Sequence, residues 1–177
     1  KDETAGLMLS DYLRYEQSLV GTKVVCAEGD CGACSVLRLF PHYQGTDNDR
    51  YHAINSCITP VATLDGSSLI TVEALSDGER LHEAQRAMVD CHGSQCGFCT
   101  PGFVVTLAGL VEEKIEKKEK TINEAEAKNC LTGNLCRCTG YQGIVNAALD
   151  IDVSKEKSLK SRYYTHAKEL AEVFATG

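Results

Sequence analysis

Ten of the 177 residues are cysteines, and eight of them fall into two sets of four. The first set is Cys26, Cys31 and Cys34, spaced C-x4-C-x2-C, joined by Cys57 after 22 intervening residues. The second is Cys96-x2-Cys99 with Cys136-x-Cys138. Four converging thiolates can hold a zinc ion or an Fe2S2 core, so the chemistry on offer is metal–thiolate chemistry. His42, His52, His82, His92 and His166 are scattered, with no cysteine or carboxylate at metal spacing beyond these sets. No Ser-His-Asp arrangement or carboxylate pair stands out for acid–base work, so no catalytic residue is expected on this chain.

Three ligands from one tight loop and a fourth from a distant segment surround a two-iron core without straining the backbone. The spacing of the first set is that of plant-type [2Fe–2S] sites. Gly29 and Gly32 suit a loop that folds around a cluster and turns N–H groups toward its sulfurs. Zinc pairs are usually closer than the x4 gap, which makes zinc the weaker reading here.

Taken alone, the two pairs of the second set suit zinc as well as iron. Each pair, however, ends just before an expected helix, after Cys99-Thr-Pro-Gly102 and Cys138-Thr-Gly-Tyr141. Two helix N-termini would then turn free N–H groups and partial positive charge toward one anionic centre. A rival set, Cys91, Cys96, Cys99 and Cys130, repeats the x4-x2 spacing but strands Cys136 and Cys138. Cys91 and Cys130 are therefore expected to be buried small apolar residues.

Composition narrows the classes. Hydrophobic residues make up 43%, enough for one medium or two small domains. A net charge of −7 without a basic block argues against nucleic acid. No apolar run approaches the roughly 18 residues of a membrane span. The first ten residues lack a basic stretch followed by an apolar one, and metal-held thiolates fit a reducing compartment, so a cytoplasmic location is expected.

The elements that must position these cysteines follow from period and punctuation. A short amphipathic helix is expected from Met8 to Leu19, ended by Gly21. Thr22–Val25, Ser35–Phe40, Tyr51–Asn55 and Leu69–Val72 read as strands, with Pro41–Arg50 as a hairpin connection. From residue 79 the period becomes helical. Leu81, Ala84 and Met88 share a face, Thr100-Pro101 reads as an N-cap and first turn, and Phe103–Val111 as a buried helix. Glu112–Lys120 reads as its solvated end, with Glu113–Lys117 and Glu116–Lys120 pairs. Thr121–Glu124 matches a capping box, and Ile144–Leu149 starts a last helix. Residues 1–77 thus form a small α+β domain, 78–152 a four-helix domain, and 153–177 a linker or partner-binding arm with a weak helical tail (Tyr164, Leu170, Val173, Phe174).

Three long motifs then carry a resemblance. Glu28-Gly-Asp-Cys-Gly-Ala-Cys34, His92-Gly-Ser-Gln-Cys-Gly-Phe-Cys-Thr-Pro-Gly102 and Gly133-Asn-Leu-Cys-Arg-Cys-Thr-Gly-Tyr141 resemble the iron–sulfur subunit, or N-terminal iron–sulfur region, of the xanthine dehydrogenase family of molybdenum hydroxylases. The likeness runs from about residue 9 to 150. Asn55-Ser-Cys57, Thr71-Val-Glu73 and Leu81-His82 favour the xanthine dehydrogenase branch over carbon monoxide or aldehyde relatives.

The resemblance implies a plant-ferredoxin-like (β-grasp) domain followed by an all-α four-helix bundle, each with one [2Fe–2S] cluster. It implies that Cys96, Cys99, Cys136 and Cys138 hold the cluster nearer the molybdopterin, and that Gln95 contacts the pterin; a loop-capping amide is the alternative for Gln95. Molybdopterin would sit on a large partner subunit and FAD on another subunit or domain, with electrons passing through both clusters to FAD. Arg137 would place a cation beside the second cluster, or face a partner. His92 is expected to stabilise its turn by a hydrogen bond. The first hairpin of the family domain is expected to be missing, and no Gly-rich phosphate loop suggests that flavin binds this chain. The polar end after residue 153 suggests a chain leading into a FAD domain. The reading from another class is a cysteine-rich zinc-binding interaction module without a redox role.

Overall fold

The computed structural model describes residues 6–39 and 50–163. The expected hairpin connection at 41–49, Phe40, His42, His166 and the helical tail from Tyr164 lie outside the described residues.

A three-stranded antiparallel sheet of order β2-β1-β3 forms from β1 (Ser35–Leu39), β2 (His52–Asn55) and β3 (Ser68–Ile70). Leu37 is the register point, opposite Ala53 on one side and Ile70 on the other. Every residue of β1 is buried because both of its faces are covered. Leu37 and Leu39 pack into the main core with the helices, while Val36 points into a smaller cluster with Leu9, Leu13 and Leu64. Period two along one strand thus serves two different layers. Arg38 is buried among them, with Nε donating to Ser67 Oγ at 2.9 Å and Nη2 to the Thr63 carbonyl at 2.8 Å.

Five α-helical segments, with a further helical stretch at 159–163, complete the described fold. α1 (Leu9–Asp11) runs into a π-helical turn at Tyr12–Glu16; α2 is Glu83–Asp90, α3 Thr100–Glu116, α4 Glu124–Cys130 and α5 Gln142–Asp150. α3 packs on β1 and β2, α2 packs on α3 and α5, and α4 packs on α3 and α5. The result is a mixture of helices and a small antiparallel sheet. Leu37, Leu39 and Ile70 of the sheet, with Tyr51 just before β2, share one core with Phe103, Leu107 and Val111 of α3 and Ile144 and Ala147 of α5. The apolar surface of α3 is what fuses the two layers.

Several local expectations are corrected. The first helix ends at Glu16, and Gly21 does not cap it. A Cβ on Gly21 would lie 2.6 Å from Glu73 and Val72, so the glycine allows a close approach, and its N–H donates to Glu73 at 2.7 Å. Thr22–Val25 pairs with no strand among the described residues and is irregular. Leu81 lies before α2 and is exposed, while Ala84, Ala87 and Met88 form the buried face. α3 starts one residue earlier than expected, with Cys99 at its N-cap. Asn123 and Glu126 make the capping box of α4, two residues beyond Thr121.

The charged end of α3 is only partly solvated. Glu113 pairs with Lys117 at 2.6 Å as expected, but Lys118 turns left-handed and the helix ends at Glu116, so Glu116 reaches Arg50 instead of Lys120. Glu112 and Lys114 are buried. Lys114 sits between Glu119 and Glu126. Glu112 accepts hydrogen bonds from the Leu159 N–H (2.8 Å) and Ser158 Oγ (2.9 Å). Residues 153–163 therefore close on the chain's own core as a strap. Val153 and Leu159 are buried, Tyr163 Oη donates to the Ala74 carbonyl, and Arg162 donates to that of Leu75.

Candidate metal centres

The first cysteine loop is wound by backbone that L-residues rarely adopt. Ala27, Gly29 and Gly32 all have positive φ, at 57°, 82° and 66°. A Cβ on Gly29 would come within 2.4 Å of Ile58 Cδ1, so this glycine is demanded by conformation and by space. Asn55 Nδ2 donates to the Gly29 carbonyl, Ser56 Oγ to that of Cys34 (2.7 Å) and Ser35 Oγ to that of Gly32 (2.7 Å). β1 leaves the loop and β2 returns to it, which brings Cys57, in the turn Ser56–Ile58, against Cys34. Cys31, Cys34 and Cys57 are buried and Cys26 is half-buried.

The four thiols form two contacting pairs, Cys26 with Cys31 and Cys34 with Cys57. Cys26 is held down at about 6, first by the backbone N–H of Glu28, then by that of Cys31 and by the Cys31 thiol. Burial first, then the Cys34 thiol, pushes Cys57 up to about 12. The loop thus turns N–H groups toward a sulfur, as an anionic thiolate ligand requires.

The second set shows the same pairing. Cys138 Sγ lies 3.6 Å from Cys96 Sγ, and Cys99 contacts Cys136. The Phe98 N–H, then the Cys138 thiol, lower Cys96, while burial raises Cys99 to about 12. Burial raises Cys136, but the Thr139 hydroxyl at 3.1 Å together with the N–H groups of Thr139 and Cys138 outweighs it and the net shift is downward. Cys96 and Cys138 are exposed and Cys136 is buried, so one edge of this quartet opens to the surface. Both flanking helices begin without a side-chain cap. α3 starts at Cys99 itself, and α5 starts at Tyr141, in left-handed conformation after Gly140.

In each set, then, the sulfurs present two pairs, and among the described residues no group of three or more His, Cys, Asp or Glu converges on one metal ion. Two irons with two thiolates each fit this donor set. None of the ten cysteines is in a disulfide.

Cys91 and Cys130 join neither set. Cys91 caps α2, and Cys130 ends α4 with its Sγ 3.6 Å from the Thr106 carbonyl, so the rival quartet is not brought together. Both are half-buried, not fully buried as expected, because each sits at a helix end at the margin of the core. Gln95, Phe98, Leu135 and Arg137 are exposed around the open edge of the second set. His92 is exposed with φ 53°, and its turn is closed by its own backbone N–H donating to Val89.

Two contributors escaped the sequence reading. Tyr141 Oη accepts from the Cys136 N–H at 2.9 Å while its ring packs edge-on to Phe103, centroids 6.1 Å apart. Asn134 is buried and its Nδ2 donates to the Gly32 carbonyl at 3.2 Å; beside it the Leu135 N–H donates to the Cys31 carbonyl at 2.9 Å. Gly102 of α3 packs on the same place, where a Cβ would lie 2.2 Å from the Gly32 oxygen. The two cysteine loops are therefore stitched together directly. Tyr141 stood in a quoted motif, but only its partner in space reveals its task.

Comparison with known proteins follows this division. Residues 2–62 match the family model "2Fe-2S iron-sulfur cluster binding domain" and residues 71–149 match "[2Fe-2S] binding domain". Over 147 residues, 82% of this chain, it is 43% identical to xanthine dehydrogenase of Oryza sativa subsp. japonica, and over 141 residues, 79%, it is 43% identical to aldehyde oxidase 1 of Bos taurus. It spans about a tenth of the length of these relatives (10% of each). Equal identity to both does not separate the xanthine dehydrogenase branch from the aldehyde oxidase one. Among solved structures, a chain of quinoline 2-oxidoreductase from Pseudomonas putida 86 superposes with a TM-score of 0.71 at 34% identity, covering 85% of this chain and 83% of that one. Aldehyde oxidoreductase from Desulfovibrio gigas gives 0.70 at 35% identity, covering 83% of this chain and 15% of that one.

Proposed function

Because this chain belongs to the iron–sulfur portion of the xanthine dehydrogenase and aldehyde oxidase family of molybdenum hydroxylases, and so carries two [2Fe–2S] domains, we propose that it relays electrons between a molybdopterin centre and FAD, both held by partner subunits or domains. Cys26, Cys31, Cys34 and Cys57 hold one cluster; Cys96, Cys99, Cys136 and Cys138 hold the other. Each cluster, when bound, accepts and returns one electron. The domain division is 1–77 and 78–152, with α2 to α5 forming the four-helix bundle.

The observation that carries the relay is the stitch between the loops. Cys31, a ligand of one set, offers its carbonyl to the N–H of Leu135, the residue before Cys136 of the other. A single backbone hydrogen bond thus links the two ligand segments, with Asn134 and Gly32 bonded alongside. The exposed pair Cys96 and Cys138, with Gln95 and Phe98, forms the edge that faces the molybdopterin partner. Gln95 contacts the pterin and Arg137 supplies positive charge there. No described helix is long and apolar enough to cross a membrane, and ten unpaired cysteines suit a cytoplasmic setting.

The relay is tested by anaerobic titration with dithionite, following the visible absorption. Two clusters bleach with two electrons per chain. A colourless protein that takes up none, with zinc on its thiols, overturns the proposal.

A further inference from the structure

His82 is a deeply buried ionisable group outside the cysteine sets. Its side chain is 0% exposed, and it stands at the N-cap of α2. Its Nδ1 accepts the Ala84 N–H at 3.1 Å, and its own N–H is held by Gln85 Oε1 at 3.0 Å. An Nδ1 that accepts carries no proton, so the neutral ring must bear its proton on Nε2. That Nε2 is buried without a hydrogen-bond partner and points across 4.0 Å to Glu156 Oε2 of the strap. The other oxygen of Glu156 accepts from the Glu83 N–H at 2.8 Å and from Arg80 Nη2 at 2.7 Å. The start of α2 is therefore capped twice, once by its own histidine and once by the strap.

We propose that His82 is an acid-release pin, its neutral ring joining α2 to the strap at residues 153–163 and its protonation freeing both. A second proton could go only onto Nδ1, where it would face the Ala84 N–H, two donors with no acceptor between them. The charged groups around the ring act in both directions. Glu156 and Glu83 favour the cation, Arg162 and Arg80 oppose it, and burial, the largest influence, opposes it too. The net direction is downward, so the closed pin resists protonation that the open one accepts. Below the ordinary histidine pKa of about 6.5 the open form binds more protons, and stability of the pinned state falls as pH falls. α2 leads directly into the loop that bears Cys96 and Cys99, so release at one end of α2 loosens the support of that loop as well as the strap.

For a ring that protonates only when open, opening becomes about tenfold more favourable at pH 5.5 than at pH 7.5. The test is amide hydrogen exchange of the cluster-loaded protein at those two pH values, corrected for chemical exchange, with visible absorption confirming that the clusters stay bound. Peptides covering 82–90 and 153–163 should exchange about tenfold faster at the lower pH, while β1 stays unchanged. His82→Asn keeps a capping oxygen but cannot titrate, and should remove the pH dependence. If the strap responds to pH equally in His82→Asn, its carboxylates are responsible and the proposal fails; it fails equally if the native protein shows no response. Should the variant not fold, nitrogen-15 NMR of the native ring decides. The Nε2–H form at pH 7.5, with a midpoint below that of a free histidine, supports the pin, and an Nδ1–H form overturns it.

Discussion

At the scale of single residues, the candidate metal centres rest on sulfur and on the glycines that let the backbone bend around it. Gly29→Ala places a side chain at φ 82° and drives it into Ile58. Left-handed strain alone costs about 1–2 kcal/mol, and the first cluster should become substoichiometric while the second is retained, read as iron content falling from four toward two per chain. Tyr141→Phe removes the acceptor of the Cys136 N–H. It should cost about 1 kcal/mol, seen as a fall in Tm of roughly 2–4 °C for a chain of this size, with both clusters still bound. The cysteines, Gly29 and Gly32 were legible in sequence because spacing and residue type suffice to name them. Asn134 and Tyr141 were not, since each acts on a loop only after folding has brought a remote carbonyl or N–H within reach.

At the scale of elements, α3 matters most because it packs on β1, β2, α2 and α4. Its N-cap is Cys99, Gly109 lies against Leu37 of the sheet, and Gly102 rests on the Gly32 carbonyl of the other cysteine loop. Gly102→Ala would press a methyl group on rigid backbone, so the helix itself must shift. The expected cost is about 1–3 kcal/mol, and the EPR signals of both clusters should change, since one movement displaces both loops. A change confined to one signal would show that the loops are independent. β1, β2, β3 and the helices α2 to α5 were readable from period and apolar runs. The boundaries slipped where a tertiary partner took over, as with Gly21 against Glu73, or Asn123 displacing Thr121 as the cap. The buried Glu112 was unreadable, because its partners, Ser158 and Leu159, lie in a segment whose composition looks like a linker.

At the scale of the whole molecule, sheet and helices share one core. Thermal unfolding of the loaded protein should therefore be one cooperative transition for both layers, and two separated transitions by circular dichroism would contradict the shared core. The same unity underlies the proposed relay, with the cysteine loops joined by backbone. The most direct test of the central claim is EPR of the anaerobically purified, dithionite-reduced protein, with iron and sulfide counted on the same sample. Two distinct rhombic signals with four irons and four sulfides per chain are predicted, and Cys136→Ser should abolish one signal alone. A single signal, or zinc in place of iron at either quartet, would contradict the two-cluster relay.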